Sequence, residues 1–210
     1  MFDYDYDATK KILVFDANFN KTLPNLPNDV KTITFDKEND NCVSKFNKKI
    51  QKHVLPNSLL RLIFSYKFNQ IIESNVLPNT LTHLDLGYKF NQIIKESVLP
   101  QSLIYLHLGH DFNQNINDNV LPSSLMYLNI SKDFNQEINV NVLPKTLLHL
   151  YLYCEVIHES FYEQINELSS LKYLEFLGNV NHVGIPLHIK KIGFDNLQEK
   201  QTNIPPLHKI

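Results

Sequence analysis

The chain has 210 residues, 43% of them hydrophobic and 11% aromatic, enough for one ordinary core. Lysine and arginine together number 20 against 22 aspartates and glutamates; the resulting net charge of −2 removes the electrostatic case for nucleic acid or an anionic membrane surface as partner. The first residues hold no basic segment followed by an apolar one, and no stretch approaches the about 18 apolar residues of a membrane span. A soluble, cytoplasmic protein is therefore expected, and the distant Cys42 and Cys154 fit free thiols of a reducing compartment.

The dominant feature is an internal repeat. A Leu-Pro step recurs at Leu55-Pro56, Leu77-Pro78, Leu99-Pro100, Leu121-Pro122 and Leu143-Pro144, each 22 residues after the last. A fixed period of that size marks a solenoid, in which each coil buries its apolar face only against its neighbours. One array over 1–210 is expected, with degenerate coils at 1–53, regular repeats at 54–155 and degenerate coils again at 156–210.

In chain order, Leu13 and Phe15 before Phe19-Asn20 supply a first coil. Leu26-Pro27 with Val30, Ile33 and Phe35 supplies a second, interrupted by a polar insertion at Lys37–Asn41 that belongs in a surface loop. In the regular coils, counting the Leu of Leu-Pro as zero, apolar residues fall at offsets four, seven and nine, as in Leu103, Leu106 and Leu108. The last two point inward from a short strand with two-residue alternation, so strands of successive coils pair in parallel and equivalent side chains form ladders.

The second half of each coil reads Phe-Asn-Gln-x-Ile, at Phe68, Phe90, Phe112 and Phe134, with a variant at Phe46. Phe and Ile fill the core where the coil turns back. The Asn that follows Phe, at Asn20, Asn47, Asn69, Asn91, Asn113 and Asn135, predicts a ladder that serves turn backbone in the next coil, with Gln114 and its equivalents facing solvent. Pro at offset one and Ser or Thr at offset three read as a turn, the hydroxyl bonding locally.

Further on, Phe161, Ile165 and Leu168 recur at helical spacing, predicting one helix near 159–169. Strands follow with Leu171, Leu174 and Phe176 before Asn179, and with Ile189, Ile192 and Phe194 after Ile185-Pro186. About nine coils result, and Ile204-Pro205-Pro206 is a fading half-repeat.

The spacing L-x-x-L-x-L is that of a leucine-rich repeat. The run from Val98 to Ile116, VLPQSLIYLHLGHDFNQNI, resembles the FNIP repeat family, a leucine-rich-repeat relative abundant in social amoebae and amoeba-infecting giant viruses. The resemblance is specific over Val54 to Asn141. It implies a parallel β-sheet solenoid and a recognition role. Similar proteins often carry an N-terminal F-box that couples the repeats to a cullin-type ubiquitin ligase; here about eighteen residues precede the first Phe-Asn, too few for a three-helix adaptor.

Chemistry is expected on the open strand face. Offsets six and eight alternate with the inward leucines and project Arg61, His83, Asp85, Tyr105, His107, Tyr127, Asn129, His149, Tyr151, Tyr173 and Glu175, with Tyr153 beside them. Tyrosine offers large contact area, few rotors and a polar tip, so His83, Asp85, Tyr105, His107, Tyr127, Asn129, His149, Tyr151, Tyr153 and Tyr173 form the candidate protein-binding strip. Codon bias and strand propensity alone would also fill exposed strand positions with Tyr.

Asp85 and His107 share an offset in adjacent coils and invite a triad with Ser65 or Ser131. No glycine-rich elbow or oxyanion sequence accompanies them, so no catalytic residue is assigned. The nine histidines lack zinc-type spacing, so no metal site and no cofactor is expected. A lateral row runs from Lys45, Lys48, Lys49, Lys52, His53, Lys67 and Lys89 to Asp111, Asp133 and Glu155; with strand edges exposed at both ends, it would suit head-to-tail or edge-mediated self-association. The expected function is a non-catalytic protein-binding scaffold. The alternatives are a ubiquitin-ligase recognition subunit and a structural or assembly protein of a giant virus.

Overall fold

The computed structural model describes residues 3–35, 44–130, 133–139, 141–152, 159–177 and 185–194. The insertion at 37–41, Cys42, Ser131, Tyr153, Cys154, Glu155, Asn179 and 204–206 lie outside the described residues, as do the side chains of Phe176, Ile192 and Phe194.

One sheet of ten strands runs in sequence order: β1 (Tyr4–Asp7), β2 (Ile12–Phe15), β3 (Thr32–Thr34), β4 (Arg61–Ile63), β5 (His83–Asp85), β6 (Tyr105–His107), β7 (Tyr127–Ile130), β8 (His149–Leu152), β9 (Tyr173–Leu177) and β10 (Lys190–Phe194). From β2 onward every pair is parallel, and Leu62, Leu84, Leu106, Leu128, Leu150 and Leu174 stand directly beside one another. All six are buried. The strands are short because each coil gives the sheet one step and then turns at the residue after the second inward Leu.

The turn back is set by chemistry that repeats with the coil. The Pro carbonyl at offset one accepts the N–H of the Leu three residues on, at 3.0–3.1 Å from Leu59 to Leu147. Contrary to the expectation from sequence, the Ser or Thr hydroxyl between them does not bond locally. It donates to the previous coil, Ser102 Oγ to the Leu81 carbonyl and Ser124 Oγ to that of Leu103, both at 2.6 Å. The strand ladder stops short of this turn, so the coil below supplies its otherwise unpaired carbonyl. One residue before each Val-Leu-Pro, His53, Asn75, Ser97, Asn119 and Asn141 adopt φ of 60–71°, a left-handed step that Asn tolerates best. After the strand, Gly87 and Gly109 take φ of +77° and +89°; an added Cβ would come within 2.1 Å of the Ser65 carbonyl oxygen and 2.0 Å of the Gly87 one.

Opposite the sheet, Phe46, Phe68, Phe90, Phe112 and Phe134 form a stack with centroids 6.0–6.2 Å apart and planes within 7°. Parallel strands sit about 4.8 Å apart, so the coils splay on the Phe side and the sheet takes the inner side of the bend. Asn Oδ1 of each coil accepts the backbone N–H of the next Asn, from Asn20 to Asn135, at 2.9–3.0 Å. The same oxygen also accepts the side-chain amide of the following Gln, as from Gln114 to Asn91 at 2.8 Å. Gln114 is thus half-buried in the ladder and not directed at solvent.

The ends differ from the sequence expectation. At the N-terminus β1 pairs antiparallel with β2, Tyr4 opposite Phe15 and Asp7 opposite Ile12, and covers the edge that would have been open. Asp7 Oδ1 accepts the N–H groups of Thr9 and Lys10 and fixes the hairpin loop. At the other end Ile189 closes on the Pro186 carbonyl as its equivalents do, but Lys190 already pairs with Tyr173. The coil starts its strand one residue early, which sets Lys191 beside Leu174 where Ile192 was expected. The single helix of the described residues, α1 (Glu159–Glu167), docks through buried Phe161, Ile165 and Gln164. Gln164 accepts the Leu143 N–H and donates to the Asn139 carbonyl, tying α1 to the coil before it.

Candidate protein-binding face

Register alone brings the expected strip together. On the open face, His83 pairs with Tyr105, Tyr105 with Tyr127, Tyr127 with His149 and His149 with Tyr173. Their rings form one run: centroids are 5.9 Å apart at His83 and Tyr105, 6.5 Å at Tyr105 and Tyr127, and 4.5 Å at both Tyr127–His149 and His149–Tyr173. The last three rings stack within 18°, and Tyr151 flanks His149 at 6.4 Å. Lys190 Nζ lies 5.7 Å from the Tyr173 ring, a cation on the end of the stack.

The strip is less open than alternation suggested. His83 and Tyr105 are 9% and 7% exposed, and Asn129 and Glu175 are buried beside them. Rings one coil apart cover one another, so facing away from the core does not mean facing water. Tyr127, His149, Tyr151 and Tyr173 remain half-buried. The first part of the strip is therefore covered by its neighbours, while the second keeps partly exposed rings.

Burial also sets protonation. His83 is pushed down to about 4 by burial, assisted by the Arg61 charge, and its Nδ1 lies 2.9 Å from Thr82 Oγ1. Burial, with Lys172 nearby, lowers His149 too. The Tyr151 hydroxyl is raised by burial and by the Glu175 carboxylate. Both His83 and His149 are thereby biased toward their neutral forms.

His107 differs. Its Nδ1 sits 3.1 Å from Asp85 Oδ2. Burial opposes charge on the ring, but the Asp85 carboxylate outweighs it and raises the histidine; reciprocally, Asp85 is held low against burial by His107 and by the Gly87 N–H at 2.8 Å. The pair forms as the shared offset suggested. The Ser65 hydroxyl, however, is buried and donates to the Phe46 carbonyl at 2.7 Å, which commits it to the coil turn. The cavity between α1 and the coil before it, lined by Leu143, Gln164 and Leu168, holds about 160 Å³. Small-molecule pockets typically hold about 300–1,000 Å³.

On the flank, Tyr66, Tyr88 and His110 make a second ring stack that the sequence reading passed over, with centroids 4.5 and 4.2 Å apart. Lys89 Nζ bonds Asp111 Oδ2 at 2.8 Å, so the positive-to-negative row pairs internally at its midpoint. Lys49 likewise pairs with Glu73 at 3.0 Å. These residues sit one coil apart, and the signal that would have found them is recurrence at the repeat period.

Comparison with known proteins agrees with this architecture. The family model described as FNIP Repeat matches residues 46–89, 90–133 and 112–154. No curated protein matches. Among solved structures, one titled as CroV588, a novel circular LRR protein, aligns with a TM-score of 0.65 and 38% identity over 83% of this chain. This chain spans 28% of the length of that neighbour.

Proposed function

The chain belongs to the FNIP repeat family, and from that premise and the ring strip we propose that it is a non-catalytic protein-binding scaffold. The contact surface is the half-buried run Tyr127, His149, Tyr151 and Tyr173, braced by His83, Tyr105 and the Asp85–His107 pair. The observation that carries this reading is the in-register stack itself. Stacked rings held on a sheet lose little conformational freedom on binding and offer the aromatic area on which interface hot spots are built. Repeat solenoids use such shared inner surfaces for extended contacts. No helix among the described residues is long and apolar enough to cross a membrane.

The test is site-specific photo-crosslinking. A photoreactive residue at position 151 should capture a partner from amoebal lysate, whereas one at position 115, exposed in the Phe-Asn half of the coil, should not. Capture of equal yield from both positions would contradict the assignment. A cullin adaptor among the captured proteins would make the chain a ligase recognition subunit.

A second reading is self-association of the array ends. It is favoured by the circular form named for the structural neighbour, of which this chain spans a fraction, and by the charges of the outermost described strands, with Asp5 and Asp7 on β1 and Lys190 on β10. Light scattering of the purified chain separates the two: a monomer supports the scaffold alone, and a defined multimer that dissociates in high salt supports association through charged ends.

A further inference from the structure

The geometry points to a divalent metal site on the flank, built by His110, Asp111 and Asp133. His110 Nδ1 lies 3.2 Å from Asp111 Oδ1 and 3.7 Å from Asp133 Oδ2, and all three ligand atoms fall within 4.8 Å of one another. Neighbouring ligands of a tetrahedral or octahedral ion with bonds of about 2.1 Å stand about 3.0–3.4 Å apart. Two of the three atoms are thus nearly placed, and the third belongs to Asp133, whose side chain is 52% exposed.

The fold explains how the set assembles. Asp111 and Asp133 occupy the same offset in successive coils, and His110 precedes the first, so three residues spread over 24 positions of sequence converge. In a solenoid the ligand spacing is the repeat period, so a search for short zinc-type motifs passes over such a site. The plane of the imidazole is set by its stack on Tyr88, 4.2 Å and 8° from parallel, and its Nδ1 lies 3.2 Å from Asp111 Oδ1. Lys89 takes Asp111 Oδ2 and leaves Oδ1 turned to His110. A like-charged neighbour held in register by the coil stacking is offset by a cation bound between the two carboxylates.

One imidazole with two carboxylates suits a first-row divalent ion such as zinc or cobalt, with water completing the shell. Bound there, the ion joins one coil to the next and stabilises the array at a point away from the open strand face. The site is independent of the protein-binding reading.

The experiment is calorimetric titration of the metal-free chain with zinc chloride, paired with melting curves with and without zinc. The variants are Asp133→Asn, which removes one charge at a half-exposed position, and His110→Phe, which keeps the ring on Tyr88. The parent should bind one saturable equivalent and melt higher with zinc; each variant should bind at least tenfold more weakly and lose the shift, while melting like the parent without metal. Absence of saturable binding in the parent, or parental affinity in both variants, would overturn the site.

Discussion

Asn91 Oδ1 accepts the backbone N–H of Asn113 at 3.0 Å, and this link between two residues one coil apart repeats along the whole Phe-Asn side. The outer turn has no strand ladder of its own, so the side chain of one coil stands in for a missing backbone partner of the next. Asn113 in turn accepts from the Asn135 N–H at 2.9 Å and from Gln136 Nε2 at 3.0 Å.

Asn113→Ala should therefore destabilise by about 1–3 kcal/mol, because two donors lose their acceptor. Gln114→Ala removes one donor of a pair that shares Asn91 and should cost less. Chemical denaturation of the two variants checks the order; equal losses would mean that the backbone link carries no special weight.

In the core, Leu106 is fully buried between Leu84 and Leu128. Leu106→Ala should cost about 2–5 kcal/mol, since flanking coils held by their own ladders cannot collapse into the gap. A melting curve superimposed on that of the parent would refute the assignment of the ladder as core.

At the left-handed step, Ser97 holds φ of 60° where Asn119 and Asn141 stand in later coils. Ser97→Asn should stabilise by roughly 0.5 kcal/mol and Ser97→Val should destabilise by about 1 kcal/mol or more, because branching at Cβ is least compatible with positive φ. Thermal melts that reverse this order would count against a backbone origin.

Acid should weaken the fold through His83. Its folded value of about 4 lies below the ordinary 6.5; the unfolded chain then binds the extra proton first, and stability is lost as pH falls from 6.5 toward 4. At 9% exposure the loss is about 2–3 kcal/mol. The Asp85–His107 pair adds two opposite trends. The raised His107 contributes fully below 6.5 and fades as pH climbs through its folded value, and the lowered Asp85 contributes above 3.8 and fades as pH falls through its own. Tyr fills the His83 position in the next two coils, so His83→Tyr should fold and show a shallower loss between pH 6.5 and 4. Identical pH profiles would exclude His83 as the cause.

What the sequence made legible follows from periodicity. Leu84, Phe90 and Asn91 recur every 22 residues, so their roles could be read from any one coil and checked in the others. Partners that cross between coils were harder. The Ser102 hydroxyl could bond its own turn or the Leu81 carbonyl with the same local sequence, and only the stacking distance decides. Gln114 was misplaced for the same reason. β1 was not foreseen because Tyr4-Asp5-Tyr6-Asp7 lies outside the repeat and its pairing depends on the hairpin loop held by Asp7. On the open face, alternation correctly sorted His83 and Tyr105 away from the core, but it carries no information on how far neighbouring rings cover them. Zinc-type spacing tests the histidines alone, and Asp111 and Asp133 read as part of the lateral charged row; that His110 meets both follows from the repeat length.

The measurement that bears most directly on the scaffold reading is the affinity of the captured partner for Tyr127→Ala combined with Tyr151→Ala, compared with the parent. Both side chains are half-buried on the open face and neither lies in the leucine core. The account predicts binding weakened by about 2 kcal/mol or more, as for a pair of aromatic hot-spot residues, with circular dichroism showing an intact fold. Unchanged affinity in the folded double variant would contradict it and move the contact surface to the flank or the array ends.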